Sequence, residues 1–204
     1  MILNCGYRSW TDVWLVLNGD RGVPSNLQGT VEAFAECNLA ELQHKFQAHR
    51  GQVAAVFLDI QRSAPPVGYL AAVKELCHTN WALLVYDEIV TGFRLALGEM
   101  QEYCGVMPDL ACFAKALSNG MPLACVASHA EVMVSMQDRV ISVTYGGEAL
   151  SVAAAIASLR ELRDKGVNAY LWDLGEMLQR GLNDASMTPP RKLLFPFIVV
   201  GLPR

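Results

Sequence analysis

The sequence predicts an α/β fold in which a mostly parallel sheet is flanked by helices. Two short apolar runs, residues 82–86 and Leu110–Phe113, are bounded by polar or turn residues, a pattern typical of buried strands. The connection from residue 92 to residue 109 leaves room for a helical crossover, so the two strands are predicted to be parallel neighbours. The order strand, helix, strand recurs along the chain, which favours right-handed crossovers and a sheet of this kind.

The remaining elements follow from apolar periodicity and from turn residues. The other predicted strands are short apolar runs, at Ile2–Cys5, residues 53–58 and residues 123–127. Apolar residues at helical spacing predict helices over residues 39–49, 67–77, 130–136 and 148–165, and a last helix striped by Leu171, Leu174, Leu178 and Leu182. Residues 18–29 are rich in Gly, Asn, Asp, Pro and Ser and predict a surface loop.

The bulk properties exclude several classes of function. At 204 residues the chain has the length of one domain. Its hydrophobic fraction of 52% and mean hydropathy of +0.25 predict either strands covered on both faces or surface that awaits a partner. The net charge of −4 comes without a basic cluster, so we expect no binding to nucleic acid or to an anionic membrane. No apolar run approaches the ~20 residues of a membrane span.

Six cysteines are scattered along the chain without any C-x-x-C pair. This spacing favours buried, reduced thiols in a cytosolic protein over disulfides or a metal site, and the cytoplasm is the predicted location. The first residues have neither the basic nor the apolar region of a signal peptide. The motifs G-x-x-x-x-G-K-S/T, G-x-G-x-x-G and H-E-x-x-H are absent, so nucleotide-binding and zinc-hydrolase interpretations have no support.

An aspartate and a lysine follow two neighbouring predicted strands. Asp87 comes just after the first strand and Lys115 just after the second. Adjacent parallel strands lie about 5 Å apart, so we expect both side chains to open onto one crevice at the carboxyl edge of the sheet. Such a pair suits pyridoxal phosphate (PLP). The amine would form a Schiff base, and the anion would keep the ring nitrogen protonated so that the ring acts as an electron sink.

Three segments around these residues resemble class III PLP-dependent aminotransferases. They are DEIVTGFR (87–94), PDLACFAKALSNGMP (108–122) and TYGGEALSVAAA (144–155). Within that family they are most similar to the glutamate-1-semialdehyde aminomutase branch, which also carries segments similar to GYRSW (6–10) and RGVP (21–24). The segments occur in the expected order and span nearly the whole chain.

The resemblance implies a role for each of five residues. Lys115 would form the Schiff base and shuttle protons, while Asp87 would hold the ring nitrogen. Ile89 and Tyr7 would sandwich the cofactor ring, and Thr144 would reach the cofactor phosphate of the neighbouring subunit of a homodimer. Taken alone, Tyr7 is equally consistent with an ordinary half-buried tyrosine. A threonine at the start of a helix is likewise consistent with an N-terminal cap.

The resemblance also implies the architecture and the reaction. Residues 1–190 would be an incomplete PLP-binding large domain of the fold-type I transferases, and residues 191–204 the start of a small C-terminal domain. The strand at 123–127 would run antiparallel to the others. The reaction would be amino-group transfer on a small amino, keto or semialdehyde substrate, by an aminotransferase or a 2,1-aminomutase. The alternative is an inactive, truncated paralogue that needs a full-length partner to fold.

One position at the same edge departs from the family pattern. The strand over residues 53–58 ends at Asp59-Ile60, where the family commonly has Glu-Pro. The shorter carboxylate leaves the part that Asp59 plays open.

Overall fold

The core of the molecule is a six-stranded sheet with strand order β2-β1-β3-β4-β5-β6. A computed structural model describes residues 1–6, 11–18, 22–59, 65–137 and 143–187. The first five strands in that order pair in parallel, and β6 pairs antiparallel with β5. The strands are β1 (Ile2–Cys5), β2 (Val31–Ala33), β3 (Ala55–Leu58), β4 (Leu83–Asp87), β5 (Leu110–Phe113) and β6 (Cys125–Ser128). The predicted α/β fold and the antiparallel last strand are confirmed.

Helices connect the parallel strands. The α-helices are α1 (Asp12–Leu15), α2 (Leu39–Ala48), α3 (Tyr69–Thr79), α4 (Glu99–Cys104), α5 (Ala130–Met133), α6 (Ala149–Asp164) and α7 (Val167–Met187). Short 3-10 turns occur at Val16–Asn18, Ser25–Leu27, Lys115–Leu117 and Val134–Met136. The predicted helices agree with these bounds to within a few residues, and α4 supplies the helix expected in the β4–β5 crossover. Among the described residues, no helix combines the length and apolarity needed to cross a membrane.

Strand β2 was not predicted from the sequence. It has three residues, Val31–Ala33, and forms by parallel pairing with β1 at the edge of the sheet. Its central residue, Glu32, lies 3.0 Å from Lys45 Nζ and 2.9 Å from His49 Nε2 at the end of α2. These ion pairs hold the short strand against the helix that follows it.

Two apolar clusters hold the layers together. The larger one joins β1, β3 and β4 to α2 and α3 through fully buried side chains such as Leu3, Leu42 and Val73. The smaller one joins the end of β5 and the turn after it to α6, through Phe113, Leu117 and other residues. The second cluster therefore positions the segment that carries Lys115.

All six cysteines are free thiols. Burial raises the pKa of both Cys5 and Cys77 to about 12. These two thiols pack in the larger apolar cluster, as the sequence predicts for structural cysteines.

Candidate active site

Asp87 and Lys115 lie at the same edge of the sheet, as predicted. Asp87 is the last residue of β4 and pairs in register with Cys112 of the parallel strand β5. Lys115 begins the 3-10 turn that follows β5, three residues beyond Cys112, and its side chain is exposed. Both functional groups are thus presented at the carboxyl ends of adjacent parallel strands, where open α/β sheets hold their ligands.

The turn that carries Lys115 has an unusual backbone. Lys115 has a φ of +43°, in the left-handed region that residues with a side chain rarely adopt. The next two residues, Ala116 and Leu117, are buried against α6, where Ala155 and Leu162 complete the cluster. Packing against α6 therefore fixes the turn in this conformation and leaves the lysine side chain directed away from the core. Such over-determined strain is common at functional sites.

The carboxyl group of Asp87 is half-buried and electrostatically coupled to its neighbours. Burial raises its pKa above the usual range, and the hydrogen bond from the backbone N–H of Ile89 to Oδ1, at 3.1 Å, acts in the opposite direction. Of the nearby charges, Asp59 raises the pKa of Asp87 and Lys115 lowers it. A cation placed beside Asp87 would relieve this penalty on the charged form.

The residue after Asp87 serves the structure of the turn. Glu88 is 1% exposed and accepts hydrogen bonds from the backbone N–H of Met100 at 2.9 Å and from Thr91 Oγ1 at 3.2 Å. Glycine at position 92 is required because a Cβ there would lie 2.4 Å from the Glu88 carbonyl oxygen. Sequence reasoning missed this role, although successive residues alternate between faces and therefore separate Asp87 from Glu88.

Asp59 belongs to the same edge. It follows β3, is 4% exposed, and its backbone N–H donates to the Cys5 carbonyl at 2.9 Å. The chain after β1 passes directly against it at Gly6, which has a φ of +100°. A Cβ on Gly6 would lie 2.7 Å from Asp59 Cβ, so only glycine fits there.

Thr144 lies on the turn that precedes α6. The turn covers residues 144–147, Thr144 is exposed, and Gly147 has a φ of +72°. The N-terminal cap of α6 is Glu148, whose side chain accepts hydrogen bonds from the backbone N–H groups of Leu150 and Ser151. The interpretation of Thr144 as the cap is therefore wrong, because Glu148 fills that position.

A family model for the class-III aminotransferases matches residues 21–192. The chain belongs to the class-III aminotransferase family. The predicted family and enzyme class are therefore confirmed. Among curated proteins, the glutamate-1-semialdehyde 2,1-aminomutase of Syntrophobacter fumaroxidans is 31% identical over 176 residues. That of Desulforamulus reducens is 33% identical over 173 residues. These matches cover 82% and 81% of this chain but only 41% and 40% of the two relatives, so the chain spans about two fifths of their length.

Solved structures of PLP enzymes share the fold of this class-III chain. The FumI protein of a Sphingopyxis species, in its PLP internal aldimine form, superposes with a TM-score of 0.82 at 24% identity. The match covers 91% of this chain and 46% of that one. The ornithine aminotransferase of Toxoplasma gondii superposes with a TM-score of 0.72 at 26% identity, over 91% of this chain and 45% of its own. The prediction of PLP is thus confirmed at the level of the family.

The described residues of this class-III chain fit the donor set that PLP requires. The edge offers one exposed amine, on Lys115, and one half-buried carboxylate, on Asp87, whose charged form is favoured by a neighbouring cation. Ile89, expected against the ring, is half-buried in the turn after β4. Tyr7 lies outside the described residues, as do Arg8 and the segment 188–204 in which a second domain was predicted to begin.

Proposed function

We propose that this chain carries the PLP-binding edge of an enzyme that transfers amino groups, either an aminotransferase or a 2,1-aminomutase. The observation that carries the proposal is that Asp87 and Lys115 leave adjacent parallel strands at one edge of the sheet. Membership of the class-III family supplies the reaction class and the cofactor. The shorter length of this chain relative to its curated relatives makes activity a proposal rather than a property of the family.

Each residue at the edge has a defined task. Lys115 Nζ would hold PLP covalently and, once displaced by the substrate amine, would move a proton to and from the substrate carbon next to the nitrogen. Bound PLP supplies an electron sink for the carbanion that this proton removal creates. Asp87 would donate its negative charge to a protonated ring nitrogen. Ile89 and Tyr7 would exclude water from the two faces of the ring.

The phosphate contact is proposed to come from a second subunit. Thr144 is exposed at the beginning of α6, beside Gly146 and Gly147, where a hydroxyl and backbone N–H groups can meet an anion. An exposed threonine on a glycine-rich turn is suited to reach across to a partner rather than inward. We therefore propose a homodimer in which Thr144 of one subunit completes the site of the other.

The substrate class follows from the relatives. The two curated relatives are named as 2,1-aminomutases, and the solved structures include an ornithine aminotransferase. We accordingly propose a small molecule that carries an amino group together with a ketone or aldehyde. The aminomutase reaction moves the amino group within one molecule, and the transaminase reaction moves it between two.

Reductive trapping tests the proposal. The purified chain is incubated with PLP, reduced with borohydride, digested and mapped by mass spectrometry. We expect the phosphopyridoxyl mass on Lys115, with visible absorbance before reduction and loss of both signals in Lys115→Ala. Labelling of Lys74 or Lys165 in place of Lys115 would overturn the assignment.

A second candidate is a non-catalytic paralogue that folds against a full-length partner. It is favoured by the coverage, since the chain spans about two fifths of its curated relatives. Co-expression with a full-length class-III aminotransferase separates the two candidates. The paralogue is supported if the chain takes up PLP only in the joint complex, and rejected if the chain takes up PLP by itself.

A further inference from the structure

Four residues form one row across the edge that carries the proposed cofactor site. Cys5 pairs with Leu58, and Leu58 pairs with Tyr86, so the next residues along these parallel strands lie side by side. These next residues are Gly6, Asp59 and Asp87, and Asp87 in turn pairs with Cys112. In-register neighbours on parallel strands project to the same face of a sheet. The row therefore sets two carboxylates next to each other on β3 and β4.

The first of these carboxylates is held more tightly than the second. Asp59 is 4% exposed and its backbone is tied to β1 by the hydrogen bond to Cys5. Gly6 packs so closely that no side chain can come between β1 and Asp59. The charge on Asp59 acts on Asp87, whose proton affinity it increases. A buried acid kept beside a second acid carries a cost unless a cation offsets both charges.

We propose that Asp59 acts with Asp87 as a two-carboxylate site for a cationic ring nitrogen. This inference rests on the proposed function, because the cation is the protonated pyridine of PLP. Asp87 makes the direct contact, and Asp59 is a positioning residue that doubles the negative charge facing the same atom. Departure from the family pattern at Asp59-Ile60 would then mark a change in how this chain binds the ring.

The other charged or titratable groups coupled to Asp87 lie on three elements. Lys115 on the turn after β5 lowers its pKa, while Glu88 follows it in the turn after β4 and Cys112 pairs with it on β5. Asp87 in turn raises the pKa of both Glu88 and Cys112, so these groups add no positive charge. Lys115 would be engaged with the aldehyde end of the cofactor. The positive charge that offsets the two aspartates must then come from the ring nitrogen.

The first experiment needs no cofactor. The carboxyl carbon of Asp87 is followed by NMR during a pH titration of the free chain, in wild type and in Asp59→Asn. We expect the midpoint of Asp87 to move to lower pH in the variant, because a neighbouring negative charge has been removed. Asp12→Asn, an exposed acid on α1, is the matched control and should leave the midpoint in place. An unchanged midpoint in Asp59→Asn would overturn the inference.

The second experiment isolates the ring nitrogen. Affinities are measured by fluorescence for PLP and for its 1-deaza analogue, which has a carbon in place of that nitrogen. We expect Asp59→Asn to weaken PLP binding by about three- to tenfold, as a nearby charge does in a partly buried site, and to change binding of the analogue by less than about twofold. Asp59→Glu keeps the charge and should keep the preference for PLP.

The outcomes separate this inference from the proposed function. If wild type binds PLP at Lys115 but Asp59→Asn loses the same affinity for both ligands, Asp59 has only a structural role and the inference fails alone. If wild type binds neither ligand, the proposed function fails and the inference fails with it. A loss confined to PLP in Asp59→Asn, restored in Asp59→Glu, supports both.

Discussion

Asp109 Oδ2 accepts a hydrogen bond from the backbone N–H of Leu84 at 2.7 Å, and the backbone N–H of Asp109 donates to the Leu84 carbonyl at 2.9 Å. The same residue ties in two further elements: Ser128 Oγ of β6 donates to its carbonyl at 2.5 Å, and His78 Nε2 of α3 lies 3.0 Å from Oδ1. Asp109 thereby fixes the relative positions of β4, β5 and β6 at the end opposite the candidate site. The register set here determines how far each strand extends at the edge that carries the functional groups.

Asp109→Ala is expected to lower the free energy of unfolding by about 1–3 kcal/mol, because the Leu84 N–H loses its acceptor in a partly buried place. Urea unfolding followed by circular dichroism measures the change. Asp164→Ala is the control, since Asp164 pairs with Arg163 on the exposed face of α6 and such surface pairs contribute about 0–1 kcal/mol. Equal losses in the two variants would contradict the role of Asp109 as a strand lock.

A second buried acid lies beside Glu88. Glu99 is 4% exposed, has a φ of +69°, and begins α4. Burial and the charge of Glu88 together raise the pKa of Glu99 to about 8, against an ordinary value of 4.5. Glu99 is therefore protonated in the folded chain at neutral pH and ionised in the unfolded chain. Folding takes up a proton at this residue.

The pH dependence of stability follows from that proton. The folded state binds more protons than the unfolded state between about pH 4.5 and pH 8, so the contribution of Glu99 is fully present below pH 4.5 and is lost as the pH rises to 8. The slope in that window should approach about 1.4 kcal/mol per pH unit for this group. Glu99→Gln should flatten the stability profile over this window, as measured by chemical unfolding at several pH values. The exposed Glu75→Gln on α3 should leave the profile unchanged, and an identical profile in wild type and Glu99→Gln would show that Glu99 does not titrate in this way.

Asp87→Asn should separate stability from cofactor binding. Asparagine is neutral, so it removes the burial penalty on a charge while its side-chain oxygen can still accept from Ile89 N–H. We expect the melting temperature without PLP to stay the same or rise. Affinity for PLP should fall by about ten- to a hundredfold, the loss of one hydrogen bond to a charged group. Calorimetry with and without PLP measures both quantities, and unchanged PLP affinity would refute the ring-nitrogen role of Asp87.

The site-bearing strands could be predicted from the sequence because each is an apolar run followed by a polar residue. The apolar runs at residues 82–86 and Leu110–Phe113 mark β4 and β5, and strand order along the chain places their carboxyl ends together. Strand β2 could not be predicted, since three residues with a glutamate in the middle carry no periodic signal. It exists through pairing with β1, which is a tertiary effect.

The relationships between acids were also beyond the sequence. The left-handed backbone of Glu99 is set by the turn before α4, and no residue pattern requires it of a glutamate. The proximity of Asp59 to Asp87 depends on the register of two strands that are distant along the chain. A shift of one residue would place the two carboxylates on opposite faces. Only the paired strands reveal this coupling.

The outer faces of the last two helices expose a broad apolar surface. Five large side chains of α7 recur every three to four residues on this face, and all are at least 40% exposed: Tyr170, Leu174, Met177, Leu178 and Leu182. On α6, Leu150 and Ile156 are also exposed. Burying apolar surface contributes roughly 25 cal/mol per Å², so a few hundred Å² is comparable to the stability of a whole domain. Exposed patches of this size favour association.

We therefore expect the chain, expressed by itself, to form dimers or larger assemblies. Light scattering during size-exclusion chromatography at micromolar concentration should give masses above 22.3 kDa. Leu178→Lys should shift the distribution towards the monomer, because a charge on the apolar face opposes its burial. Glu176→Gln changes the net charge by the same amount on the polar side of α7 and should leave the distribution unchanged, since its exposed pair with Arg180 contributes little. A monodisperse monomer with a cooperative melt would show that this surface is stable in water, and association through α6 and α7 would have to be abandoned.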